Sequence, residues 1–242
     1  MATDKYSNIG KGGIVKEGIF VRFPDLIPAC PKNWGESELH HKLMIVGESN
    51  YLDNNVDSVF KDPEAWYQGE ASIIKQFLYD QKKKVSTWKY YRTFSKLCKV
   101  MNEVANTHCN SVYEEAAFYN YFLRPATVRG TDKSFKKDCE QLDRDVAGTA
   151  LCGVIDILKP DIVIFASKYA YNEFRNYIKC KIGTCDCKYT VSDFKNYFEL
   201  TGEVNVRIEF VYHPSSRFQK WDKNENSKQK FERLLREYWI KK

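Results

Sequence analysis

The sequence has no long hydrophobic run. No stretch approaches the roughly 20 apolar residues that a membrane-spanning helix needs, so no membrane partner is expected. Met1 to Gly13 holds no apolar segment of the secretory kind. A cytoplasmic protein with reduced thiols is therefore expected. No Gly/Ser/Pro-rich stretch reads as a linker, and no repeat or low-complexity segment is present, which argues against solenoids and arrays. Neither G-x-G-x-x-G nor a P-loop occurs, so dinucleotide and triphosphate sites of the usual kind are disfavoured.

What is present is a chain of 242 residues with ordinary hydrophobic content and many aromatic side chains. That length suits one domain with a substantial core. The reading is a single domain over residues 1–242, with 1–40 an irregular lead-in. The formal charge is +6. A basic surface attracts phosphates by counterion release, although a solvated lysine-rich surface gives the same number. The runs Lys82–Lys84 and Lys136–Lys137 are too short to serve as nucleic-acid arms. There are eight cysteines. Cys180, Cys185 and Cys187 cluster, but the paired spacing and fourth ligand of a zinc site are missing, so no metal is expected.

Apolar patterning places four strands and four helices. Leu43–Val46 is a buried strand stopped by Gly47. Residues 88–105 have helical spacing at Tyr91, Phe94, Leu97, Val100, Met101 and Val104. Ala117–Leu123 is an aromatic-rich strand bounded by Arg124 and Pro125. Residues 138–158 form a long amphipathic helix that Lys159-Pro160 ends. Asp161–Phe165 is the third strand, with a helix over 168–178 behind it. Arg207–Tyr212 is the fourth, ended by His213-Pro214. A last helix runs from about Ser227 to Trp239, with Phe231, Leu234, Leu235 and Tyr238 inward.

Strands alternating with helices imply a mostly parallel sheet covered on both faces. The expectation is an α/β three-layer sandwich with a central four-stranded sheet. In such sheets ligands lie beyond the carboxyl ends of the strands. The loops there hold three unusual segments. Gly47-Glu48-Ser49-Asn50-Tyr51 offers a tight turn at Gly47, a candidate general base in Glu48, and an amide in Asn50 for a water or a base edge. An ordinary strand-to-loop turn has a similar composition. Asn120 is an amide inside an aromatic strand, able to meet a nucleobase edge or neighbouring backbone. Arg124 is a candidate phosphate contact or one half of an ion pair. His213-Pro214-Ser215-Ser216-Arg217 puts an imidazole and a small rigid turn at the same edge, where the histidine can stabilise developing negative charge.

Leu43–Tyr51, Phe118–Pro125 and Phe210–Arg217 resemble, in type and order, the three motifs of the uracil-DNA glycosylase superfamily. Asp161–Tyr171 is similar to the third core strand and following helix of that family. The resemblance implies an enzyme that flips a nucleotide out of DNA and hydrolyses its N-glycosidic bond. It implies that Asn120 reads the uracil edge and that His213 stabilises the anionic leaving base. Ser215 and Ser216 would pinch the backbone, and Arg217 would take the intercalating position. Tyr51 matches a residue that crowds out the thymine methyl in one branch. Phe60 or Trp66 would supply the stacking face. The chain departs from the pattern at two places. Ser49 stands where most active branches carry Asp or Asn, and Asn50 stands where Pro is usual. Glu48 matches the branch whose motif begins Gly-Glu, but the early cysteine pair of that branch's iron–sulfur cluster is missing, so no cofactor is expected. A DNA-binding monomer is the expected assembly. A non-enzymatic member that binds nucleic acid or a nucleobase, and an unrelated small-molecule hydrolase on a doubly wound sheet, remain the alternatives.

Overall fold

The computed structural model describes residues 20, 23, 26–31, 33–52, 58–69, 72–77, 92–106, 108–109, 112–127, 135–182, 189–214, 221 and 227–242. Each predicted strand is present. β1 is Leu43–Gly47, β2 Ala117–Asn120 and β3 Ile162–Phe165. The fourth predicted strand is the sixth in chain order, β6, Asn205–Phe210. β4, Thr190–Asp193, and β5, Phe198–Thr201, precede it. The sheet order is β2-β1-β3-β6-β5-β4. β1 runs parallel to β2 and to β3, and β3 runs parallel to β6. β5 is antiparallel to both β6 and β4.

The expected four-stranded sheet is thus corrected to a six-stranded mixed one. β4 lacks the apolar signal used to find the others, and β5, Phe-Glu-Leu-Thr, carries it at only two alternate positions. β4 is Thr-Val-Ser-Asp, mostly exposed at the sheet edge. Edge strands are commonly short and polar, because a long apolar edge invites pairing with other chains. Backbone pairing decides the matter here: Phe194 N–H donates to Tyr197 O at 3.0 Å and closes the β4–β5 hairpin.

Alternation along each core strand sends side chains to two separate cores. Met44, Val46, Tyr119, Val163 and Phe165 face one. Leu43, Ile45, Phe118, Ile162 and Ile164 face the other. On the first side lie helices α1 (Pro63–Gln68), α3 (Gln141–Leu158) and α4 (Lys168–Lys181). On the second lie α2 (Arg92–Ala105) and α5 (Ser227–Leu234), the latter continuing as a π-turn over Leu235–Trp239. The architecture is α/β, with helices on both faces.

Helix ends follow local chemistry. At the start of α3, Glu140 N–H donates to Asp143 Oδ2 at 2.9 Å. It ends where Lys159 turns left-handed, φ 47°, and donates its N–H to Ile155 O; Pro160 follows and cannot continue the ladder. Ser167 caps α4 by accepting from Ala170 N–H at 3.2 Å. The lead-in is irregular where described, yet it supplies core. Phe23 stacks on Trp66 at 5.4 Å, Trp34 is buried, and Ala29 bridges Phe118. No described helix is long and apolar enough to cross a membrane.

Candidate functional site

β1, β2, β3 and β6 run in one direction, so their carboxyl ends share one edge of the sheet. Gly47, Asn120 and the His213 turn all lie at that edge. Gly47 is directly opposite Asn120 in the β1–β2 register. A Cβ on Gly47 would overlap Asn120 Oδ1 and come within 3.1 Å of Phe118 Cζ. The missing side chain is therefore what lets the Asn120 amide lie across the end of β1. Asn120 Nδ2 donates to Asn50 Oδ1 at 3.0 Å. Backbone bonds hold the two loops in register beyond the strands: Tyr121 N–H to Gly47 O, Phe122 N–H to Glu48 O and Ala126 N–H to Asn50 O. The amide pair thus stands on a hydrogen-bonded frame.

Between these anchors lie Glu48, Ser49 and Tyr51. Both carboxylate oxygens of Glu48 are engaged. Oε1 accepts from Phe135 N–H at 2.7 Å, and Oε2 accepts from Ser167 Oγ at 2.5 Å. Glu48 ties the β1 loop to the 135–137 turn and to the cap of α4. Each oxygen accepts one hydrogen bond and keeps a further lone pair, so Glu48 has a structural tie in addition to the general-base role expected of it. Ser49 is buried. Tyr51 pairs with Ala126 through a parallel bridge. Burial, with the Glu48 carboxylate nearby, pushes the Tyr51 phenol above the ordinary range, and Ser49 pulls it the other way.

His213 follows β6 by three residues. Burial, reinforced by the Lys96 ammonium, lowers its pKa to about 4. The imidazole is therefore neutral at physiological pH and offers one N–H donor. Lys96, from α2, donates to Pro214 O at 2.8 Å and pins the turn. Tyr212 N–H donates to Ser227 Oγ at 2.7 Å, anchoring the strand end to the start of α5. Ser215, Ser216 and Arg217 lie outside the described residues.

Arg124 is not at this surface. It is fully buried and pairs with Asp143, Nη2 to Oδ2 at 2.6 Å and Nε to Oδ1 at 2.9 Å. Nη1 donates to Phe60 O at 2.8 Å and Nη2 to Asp138 O at 2.5 Å. Four of its five N–H donors are engaged and the side chain is fully buried, so the ion pair takes the place of the phosphate contact. Phe60 and Trp66 are also buried in the core, packed on one another at 5.8 Å. Neither presents a face to a base.

Two residues of the site escaped sequence reading. Lys96 is one polar residue on an amphipathic helix, and Ser167 reads as a helix cap. Their contacts arise only when α2 meets the β6 turn and α4 meets β1. Among the described residues no three His, Cys, Asp or Glu side chains are grouped to hold a metal ion. Cys180 is exposed, and Cys185 and Cys187 lie outside the described residues. A separate cleft of about 400 Å³ opens beside the start of β1, lined by Trp34, His40, His41 and Glu115 among others. There His40 is already bonded to Glu115 at 2.6 Å and stacked on Trp239. No protein-family model and no curated protein matches the chain.

Proposed function

We propose that this chain is a uracil-DNA glycosylase-like protein that takes an extrahelical nucleobase at the edge formed by Gly47, Asn120 and His213, and hydrolyses its N-glycosidic bond. The observation that carries the reading is the Gly47–Asn120 pair. The missing side chain lets the Asn120 amide lie at the end of β1, and Asn50 sets the orientation of that amide. A carboxamide with a free donor and acceptor suits the adjacent carbonyl and N–H of a uracil edge. His213, kept neutral, donates a hydrogen bond toward charge developing on the departing base. The order β2-β1-β3-β6, with all four strands parallel, supports the same fold assignment as the motifs. The net charge of +6 favours a phosphate backbone as partner.

One observation favours a second reading within the same fold. Glu48 is held on both oxygens, and Ser49 is a neutral hydroxyl. A site whose carboxylate serves to hold loops together binds an unstacked base without cleaving it.

Uracil release from single- and double-stranded oligonucleotides separates the two. Hydrolysis by the wild type, lost in His213→Ala and Asn120→Ala, supports the glycosylase. Binding at low salt without release selects the second reading. Neither binding nor release removes both.

A further inference from the structure

Away from the candidate site, α2 carries a buried pair of thiols. Cys98 lies at the middle of α2, and Cys109 lies just beyond the helix. Their Sγ atoms are 3.2 Å apart, and each residue keeps only 7% of its surface exposed. Asn102, one turn after Cys98, clamps the intervening segment: Nδ2 donates to Cys109 O at 3.0 Å, and Oδ1 accepts from Cys109 N–H at 2.9 Å. The Cys98 thiol also reaches Cys109 O at 3.1 Å. The fold therefore holds two sulfurs face to face across eleven sequence positions, with a side chain dedicated to keeping the approach.

We infer that Cys98 and Cys109 form a dithiol modification site, oxidised to an intramolecular disulfide by small peroxides. Closing the bond needs each sulfur to move inward by a fraction of an ångström, because a disulfide is about 2.0 Å long. The two sulfurs play different parts. Cys109 shares its proton with Cys98, which lowers the pKa of Cys98 and, with burial, raises that of Cys109. The thiolate is the nucleophile, so Cys98 reacts first. It attacks one oxygen of hydrogen peroxide and the O–O bond breaks. The hydroxide released takes up the Cys109 proton and becomes water, and Cys98 becomes a sulfenic acid. The Cys109 thiolate then attacks the Cys98 sulfur. The S–S bond forms and the sulfenic hydroxyl leaves, protonated as a second water. Two thiols and one peroxide yield one disulfide and two waters.

Cys30 and Cys139 compete poorly. Burial pushes Cys30 to about 12 and Cys139 to about 11. Cys180 is exposed, so it is the internal reference for simple accessibility.

The reduced full-length wild type is treated with one equivalent of hydrogen peroxide, and the remaining thiols are alkylated. Digestion without reductant and mass spectrometry then map the products. The expected result is a cross-linked peptide pair joining Cys98 and Cys109, two hydrogens lighter than the sum. It forms about tenfold or more faster than Cys180 is modified and reverts with dithiothreitol. Cys109→Ser is expected to trap Cys98 as a dimedone-reactive sulfenic acid, whereas Cys98→Ser leaves Cys109 unreacted. Oxidation of Cys180 ahead of the pair, or a wild type in which Cys98 and Cys109 stay reduced, overturns the inference. The wild-type map decides this even if a serine variant fails to fold.

Discussion

At the residue scale the site turns on two side-chain environments. The first is an absence at Gly47, where a methyl group would strike Asn120 and Phe118. Gly47→Ala is expected to lower stability by about 1–3 kcal/mol, the usual range for overpacking. It should also displace the Asn120 amide. Denaturant unfolding measures the first effect; binding of a uracil-containing oligonucleotide measures the second, with a larger loss than stability alone explains. The second environment is that of His213. Its folded pKa of about 4 lies below the ordinary 6.5, because burial and Lys96 disfavour the charged ring. The unfolded chain therefore binds a proton that the folded chain refuses. The contribution is fully present above pH 6.5 and is lost as pH falls toward 4, amounting to roughly 3 kcal/mol. Unfolding free energies between pH 7 and 4 should show this slope, and His213→Asn should flatten it.

At the element scale, buried polar ties join parts that hydrophobic packing alone would leave free to slide. Arg124 and Asp143 join the exit of β2 to the first turn of α3, with no exposure on either side chain. Removing one partner strands the other charge in the core. Arg124→Ala is expected to cost about 3–5 kcal/mol, and the double replacement Arg124→Met with Asp143→Leu to recover much of that. Thermal melts of the three proteins test it; equal losses in single and double variants would deny the coupling. Glu48 makes a comparable tie between the β1 loop, Phe135 and Ser167. The sequence presented both residues as reactive groups in loops. Their partners come from positions 19 and 119 residues away in the chain, and no local pattern encodes such pairing.

At the scale of the whole molecule, the formal net charge is +6. If DNA is the partner, affinity for a single-stranded oligonucleotide should fall steeply between 50 and 200 mM salt, as about one counterion is released per neutralised phosphate. A flat salt response would argue for a ligand without a phosphate backbone. The main strands and helices were legible because burial on both faces leaves near-continuous apolar runs, and helices leave a period near 3.6. Leu43–Val46 and Asp161–Phe165 were found within one residue of the observed strands. The β4–β5 hairpin was not, because β4 is a polar edge strand and β5 offers only Phe198 and Leu200 as apolar positions in four residues.

The candidate site divides along the same line. The residues themselves determined that Gly47, Asn120 and His213 stand at the carboxyl ends of three strands of an α/β chain, and such ends share one edge of a parallel sheet. Only the tertiary structure decided which side chains remain there. It buried Arg124, Phe60 and Trp66, engaged Glu48 on both oxygens, and brought Lys96 to the His213 turn. The reason is physical. Periodicity reports which face of an element is dry. The fate of a polar side chain depends on the hydrogen-bond partner that folding delivers to it from elsewhere in the chain.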